Sequence, residues 1–136
     1  MAMPSKYRDR LQTRCNGQLV VTVDLRDPCL LLYPLPEWED IERQLVRLGN
    51  LNPQARRLQR LLIGHATEVE LDGNGRILLP PPLRDFANLD KRIALTGQGK
   101  KFEIWDEQTW NEHRESWFAA DTGNGELSVE LDALSL

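Results

Sequence analysis

No stretch of this sequence approaches the roughly 20 consecutive apolar residues that a membrane-crossing helix needs. The N-terminal Met1-Ala-Met-Pro-Ser-Lys6 has no apolar run after its charge, so it does not read as a secretory leader. Cysteine is scarce: Cys15 and Cys29 lie far apart and form no Cys-x-x-Cys, which argues against a disulfide scaffold and against zinc and suits a reducing cytoplasm. Histidine is equally rare. His65 and His113 stand alone, with no nucleophile motif and no ligand cluster beside them. The expectation is a protein that is not an enzyme and holds no metal or cofactor. Its 136 residues suit one domain or two intertwined small units, and 40% apolar content is enough for a packed core.

Charge is segregated. The net value is −4, but residues 1–14 carry +3 and residues 43–60 carry +5, whereas residues 102–136 carry −8. Solvated faces explain each cluster alone; together they permit a basic face and an acidic tail.

The chain also repeats itself. Pro4-Ser-Lys-Tyr-Arg8-Asp9 and Pro80-Pro-Pro-Leu-Arg84-Asp85 both read P-x-x-x-R-D, at an offset of 76. Leu30-Leu-Leu-Tyr33 with Trp38 matches Phe102-Glu-Ile-Trp105 with Trp110, at an offset of 72. Between these anchors, Leu19–Val23 and Arg92–Thr96 are strand-like. Each unit reads as short helix (4–11 and 80–87), strand, turn, strand and an aromatic-anchored helix, with Asp27-Pro28 and Gly97-Gln-Gly99 as turns. The Trp and Tyr anchors are expected in the core rather than stacked on bases. Residues 37–64 predict two helices: one through Trp38, Ile41, Leu45 and Leu48, the other started by Asn52-Pro53 and stopped by Gly64. They are expected to pack on each other or at a subunit contact. The stretch from Asp121 is expected to be loosely ordered.

Only the second unit carries Glu68–Leu71, Asp72-Gly-Asn-Gly75 and Arg76–Leu79, read as strand, tight turn, strand. The first-unit counterpart of Asp72 would fall before residue 1, so the sequence is expected to start inside its first unit. The loop does not read as calcium- or nucleotide-binding. Arg76 takes the fifth EF-hand position and Leu83 the twelfth, and no Gly-Lys-Ser/Thr follows.

These segments, with Pro28–Trp38, Arg57–Ala66 and Leu71–Pro80, resemble in order and spacing the MraZ family of bacterial transcriptional regulators, built from two AbrB/SpoVT-type repeats. The resemblance covers residues 3 to about 118. It implies an α+β fold with a swapped-hairpin, double-split β-barrel core. The expected organisation is a first repeat over 1–36, a helical connector over 37–65, a second repeat over 66–109, and a C-terminal helix and acidic tail over 110–136. It further implies a homo-oligomeric ring, cytoplasmic and nucleoid-associated, with no membrane and no small-molecule substrate. Such a ring binds repeated short boxes in double-stranded promoter DNA and represses the division and cell-wall gene cluster. The family's D-x-x-G-R loop is matched here by Asp72-Gly73-Asn74-Gly75-Arg76 alone. A second reading is therefore an oligomerising interaction module with weak or lost DNA binding.

The candidate DNA-binding residues are Asp72, Gly73, Asn74, Gly75 and Arg76, with Lys6, Arg8 and Arg10 as phosphate contacts. A guanidinium grips a phosphate or a guanine edge through two parallel hydrogen bonds. The glycines are expected to let the backbone approach and offer its N–H groups. Asp72 is expected to pair with Arg76 or to close the turn through the backbone, not to touch DNA. Arg84, the counterpart of Arg8, reads as structural.

Overall fold

A computed structural model describes residues 1–49 and 51–120; the stretch from Asp121 lies outside them. The elements are helix α1 (Ser5–Cys15), strands β1 (Gln18–Val23) and β2 (Leu30–Pro34), and helices α2 (Leu35–Arg47) and α3 (Pro53–Leu58). A π-helical turn (Gln59–Ile63) follows, then β3 (Thr67–Glu70), α4 (Pro81–Phe86), β4 (Ile93–Gly97), β5 (Phe102–Asp106) and α5 (Glu107–Ala119). The class is α+β, as expected. No described helix is long and apolar enough to cross a membrane.

The five strands form one antiparallel sheet in the order β3-β1-β2-β5-β4. Each unit's own strands make a hairpin, and the two hairpins join through β2 and β5. Leu31 there faces Glu103, its own counterpart at the offset of 72. Met1 faces Ile77, its counterpart at 76, and the two exchange backbone hydrogen bonds of 2.7 and 2.8 Å. An approximate twofold axis relating the copies therefore passes through both pairs. The offset falls from 76 to 72 because α4 is about one turn shorter than α1. Both helices start on a proline carbonyl that accepts from two following N–H groups, and each is followed by a left-handed asparagine, Asn16 (φ 54°) and Asn88 (φ 52°). The Asn16-Gly17 signal extends α1 to Cys15, beyond the short helix expected.

Strand alternation divides the core. Leu19, Val21, Leu30, Leu32, Phe102 and Ile104 point to one face, where α1, α4 and the Leu71–Leu79 segment cover them. Val20, Leu31 and Tyr33 point to the other, where they meet Trp38 of α2 and Leu62 and Ile63 of the π-helical turn. Tyr33, Trp38 and Trp105 are core, as expected, while Trp110 is only half-buried. Tyr33 meets Trp38, and Trp105 meets Trp110, both with ring centroids 5.7 Å apart. Glu103 is the one charged side chain that is buried among the described residues, and it accepts from the Trp105 indole N–H at 3.0 Å.

The connector helices pack on each other as well as on the sheet. Asn52 caps α3 by accepting from the Gln54 N–H at 2.8 Å. The Gln59 amide donates to the carbonyls of Leu45 and Gly49, both at 2.8 Å, and so satisfies the end of α2. The buried Thr22 hydroxyl donates to Leu62 O at 2.7 Å, tying the π-helical turn to β1.

Candidate functional site

The loop from Asp72 to Arg76 is closed from within. Asp72 Oδ1 accepts from the N–H of Asn74 at 2.8 Å and of Arg76 at 2.9 Å. The Asp72 N–H donates to Arg76 O at 2.9 Å, and the Gly75 N–H donates to Asp72 O at 3.0 Å. Asp72 thus closes the turn through the backbone and makes no ion pair with Arg76 among the described residues. The N–H of Arg76 chiefly holds its carboxyl below the usual carboxylate range; desolvation opposes it to a lesser degree, and the N–H of Asn74 and the Arg76 charge add to the lowering. This corrects the expectation that the loop offers its N–H groups outward: those of Asn74, Gly75 and Arg76 are all spent on Asp72.

The arms of the turn diverge. β3 pairs with β1, and Leu71 N–H donates to Gly17 O at 2.8 Å. On the other side Arg76 bridges Ala2, and Met3 N–H donates to Gly75 O at 2.8 Å. The strand expected over Arg76–Leu79 is therefore extended chain with one isolated bridge. Pro4 has no N–H with which to carry the pairing further, and Pro80 ends the segment on its own side. Burial still alternates: Gly75, Ile77 and Leu79 face in, while Arg76 and Leu78 face out. The outward aim of Arg76 follows from this register.

The two glycines differ. A Cβ at Gly73 would meet nothing within 4 Å, so the fold does not require glycine there and the backbone lies open. Gly75 is buried at φ +73°, and a Cβ there would lie 2.3 Å from Arg8 Nε. Only glycine fits both constraints. Gly75 shapes the loop, and Asp72, Asn74 and Arg76 are its exposed side chains, with one Asp72 oxygen turned back onto the backbone.

Lys6, Arg8 and Arg10 do not form one surface. Successive helical residues are 100° apart, so Arg8 lies on a different side of α1 from Lys6 and Arg10. Arg8 crosses Gly75 and donates from Nε to Met3 O at 2.6 Å. Lys6 Nζ lies 4.9 Å from the centroid of the Tyr7 ring. Arg10 lines a cavity shared with the β4–β5 turn. Arg84, read from the sequence as structural, lies in the last turn of α4. Burial first, then the charges of Arg84 and Arg76, lower the Met1 amine from its ordinary value, which puts both guanidiniums at this corner. His65 follows the ordinary helix-end pattern, with Nδ1 2.7 Å from Leu61 O.

Comparison with known proteins agrees with the doubled architecture. The profile of the family described as "MraZ protein, putative antitoxin-like" matches residues 1–61 and again residues 62–122. A protein of Thioalkalivibrio sulfidiphilus named "Transcriptional regulator MraZ" is 63% identical over 136 residues, all of this chain and 90% of the relative. Proteins of the same name from Halorhodospira halophila and Pseudomonas aeruginosa are 56% and 57% identical, each with all of this chain and 90% of the relative aligned. With two profile matches spanning nearly its whole length and relatives this similar, the chain belongs to the MraZ family.

Proposed function

We propose that this chain is a DNA-binding transcriptional regulator that grips promoter DNA with the Asp72–Arg76 loop. The observation that carries the reading is a rigid, internally bonded turn that exposes Arg76, with Arg84 at the same corner and no ion pair to either among the described residues. A phosphate meets a cation carried on a fixed backbone there, so little loop entropy is lost on binding. Asn74, beside it, supplies an amide suited to a base edge.

The finer reading is a cytoplasmic, nucleoid-associated repressor of the division and cell-wall gene cluster that binds repeated short boxes as a homo-oligomeric ring. Presenting several loops to several boxes raises avidity without new contacts. Exposed Leu51, Val46 and Leu48 near the end of α2, and Phe118 on α5, supply apolar surface suited to subunit contacts. The interlocking of Met1–Met3 with Gly75–Ile77 supports the swapped-hairpin, double-split barrel.

The test is fluorescence anisotropy on box-containing duplex DNA across a salt series, comparing Arg76→Ala with Arg57→Ala. Arg57 is an exposed arginine on α3, in the connector. Arg76→Ala is expected to weaken binding about tenfold or more, and to lower the slope of log K against log salt by about 0.9 for each phosphate that the variant no longer neutralises. Equal losses in the two variants would remove the loop from the reading.

A further inference from the structure

A cavity of about 330 Å³ opens between α1 and the β4–β5 turn, and none of Asp72–Arg76 lines it. We propose that it is a binding site for a small organic anion carrying a flat apolar ring, a ligand of the aryl phosphate or aryl carboxylate class.

The floor is apolar. Tyr7, Leu11 and Phe102 line it, and the Tyr7 and Phe102 rings meet edge to face at 4.9 Å. An edge-to-face pair leaves a ring face for a third flat group to pack on. The rim is cationic. Arg10 and Arg14 come from α1, and Lys100 comes from the opposite side, in the β4–β5 turn. Tyr7, Arg10, Leu11 and Arg14 stand at i, i+3, i+4 and i+7, which puts floor and rim on one helix face. Arg10 and Arg14 are like charges one turn apart, an arrangement that destabilises a helix unless an anion answers it. The single carboxylate on the rim is Glu37, 3.9 Å from Arg14. Neither Arg10 nor Lys100 has an ion-pair partner among the described residues.

Concavity separates this site from a duplex-binding surface. Phosphates of a duplex lie along a convex rod and need no apolar floor, whereas ligand pockets are concave, mostly apolar and carry a few convergent polar groups. The cavity sits at the small end of the usual range of about 300–1,000 Å³, enough for one ring and one anionic group. Gly97 sets its width: a Cβ there would lie 3.1 Å from the Tyr7 hydroxyl.

The test titrates the full chain with phenyl phosphate, and separately with inorganic phosphate and benzyl alcohol, by calorimetry and saturation-transfer NMR. Phenyl phosphate is expected to saturate one site per chain, about tenfold or more tighter than either fragment. Lys100→Gln, an exposed turn residue whose loss leaves the core intact, is expected to weaken it about tenfold. Gly97→Ala narrows the cavity and weakens phenyl phosphate more than inorganic phosphate. Arg76→Ala is expected to leave probe binding unchanged, so failure here and failure of the DNA reading remain distinct. Three results would overturn the proposal: inorganic phosphate binding as tightly as phenyl phosphate, an undiminished Lys100→Gln titration, or no saturable binding at millimolar probe. Loss of DNA affinity in Lys100→Gln without probe binding to the parent would assign the rim to the duplex and overturn it as well.

Discussion

Replacing Gly75 with alanine tests the loop architecture most directly. Two separate costs follow from the structure. At φ +73° an L-residue other than glycine is strained by about 1–2 kcal/mol. The new methyl would also lie 2.3 Å from Arg8 Nε, so Arg8 must leave. Its hydrogen bond to Met3 O, 2.6 Å long, is then broken. A hydrogen bond to a charged donor contributes about 1.5–3 kcal/mol. Arg8 is half-exposed, so about 1 kcal/mol is the better figure. The predicted destabilisation is about 2–3 kcal/mol, a large share of the usual 5–15 kcal/mol. Urea unfolding followed by tryptophan fluorescence measures it, with the slope m unchanged. The double mutant with Arg8→Ala separates the two costs. Without the guanidinium the methyl meets less resistance, so Gly75→Ala should cost only its conformational part. The coupling is predicted at about 1 kcal/mol in the favourable direction. Gly75→Asn adds the complementary control, since asparagine tolerates positive φ but brings a Cβ. Additivity of the two mutations within about 0.3 kcal/mol would refute the claim that Arg8 holds this turn.

Asp72 gives a pH dependence. Its folded pKa is lowered chiefly by the Arg76 N–H, so its stabilising effect is complete above the unfolded carboxylate value of about 4 and is lost as pH falls through the lower folded value. Asp72→Asn keeps an acceptor oxygen but no charge, so the stability gap between parent and variant should close on acidification below about pH 4; a gap that stays constant in acid refutes the assignment. Thr22→Val removes the 2.7 Å bond to Leu62 O and is predicted to cost about 1–2 kcal/mol, with hydrogen exchange rising first over Gln59–Ile63. Protection that is unchanged there would mean the π-helical turn is held by other contacts. Burial, then the negative charges of Asp24 and Glu103, push the Cys29 thiol well above its ordinary value. In a Cys15→Ala background it should resist Ellman's reagent at mildly alkaline pH until the chain is unfolded, and reaction at the rate of a free thiol would contradict that burial.

Local signals were legible where the deciding contacts were local. Asn52-Pro53 predicts a capped helix because cap and donor lie two residues apart, and the structure places that bond from the Gln54 N–H to Asn52. The strand-then-aromatic spacing predicts Trp38 on Tyr33 and Trp110 on Trp105, since a helix following a strand returns its first turn onto the strand's end. The Asp72–Arg76 turn was readable for the same reason. The pairing of its arms was not. β3 pairs with β1, some 50 residues earlier, and Gly75 meets Met3 and Arg8 across an even longer separation. Such contacts depend on how the two units interlock, which no local pattern encodes. Treating Lys6, Arg8 and Arg10 as one basic group failed because sequence proximity ignores helical rotation. A spacing of two puts Arg8 on a different side of α1 from its neighbours.

Glu103 stands on the approximate twofold axis, opposite Leu31. Two hairpins of such similar build invite mistaken partners, for example two second hairpins from different chains. Their directly opposed side chains would come within about 4.5–5.5 Å of each other, so that error would set carboxylate against carboxylate inside a sheet. The correct match sets Glu103 against leucine, with the Trp105 indole answering it. A single acidic letter at the axis thus disfavours the pairing of two second hairpins and gives nearly interchangeable halves a left and a right.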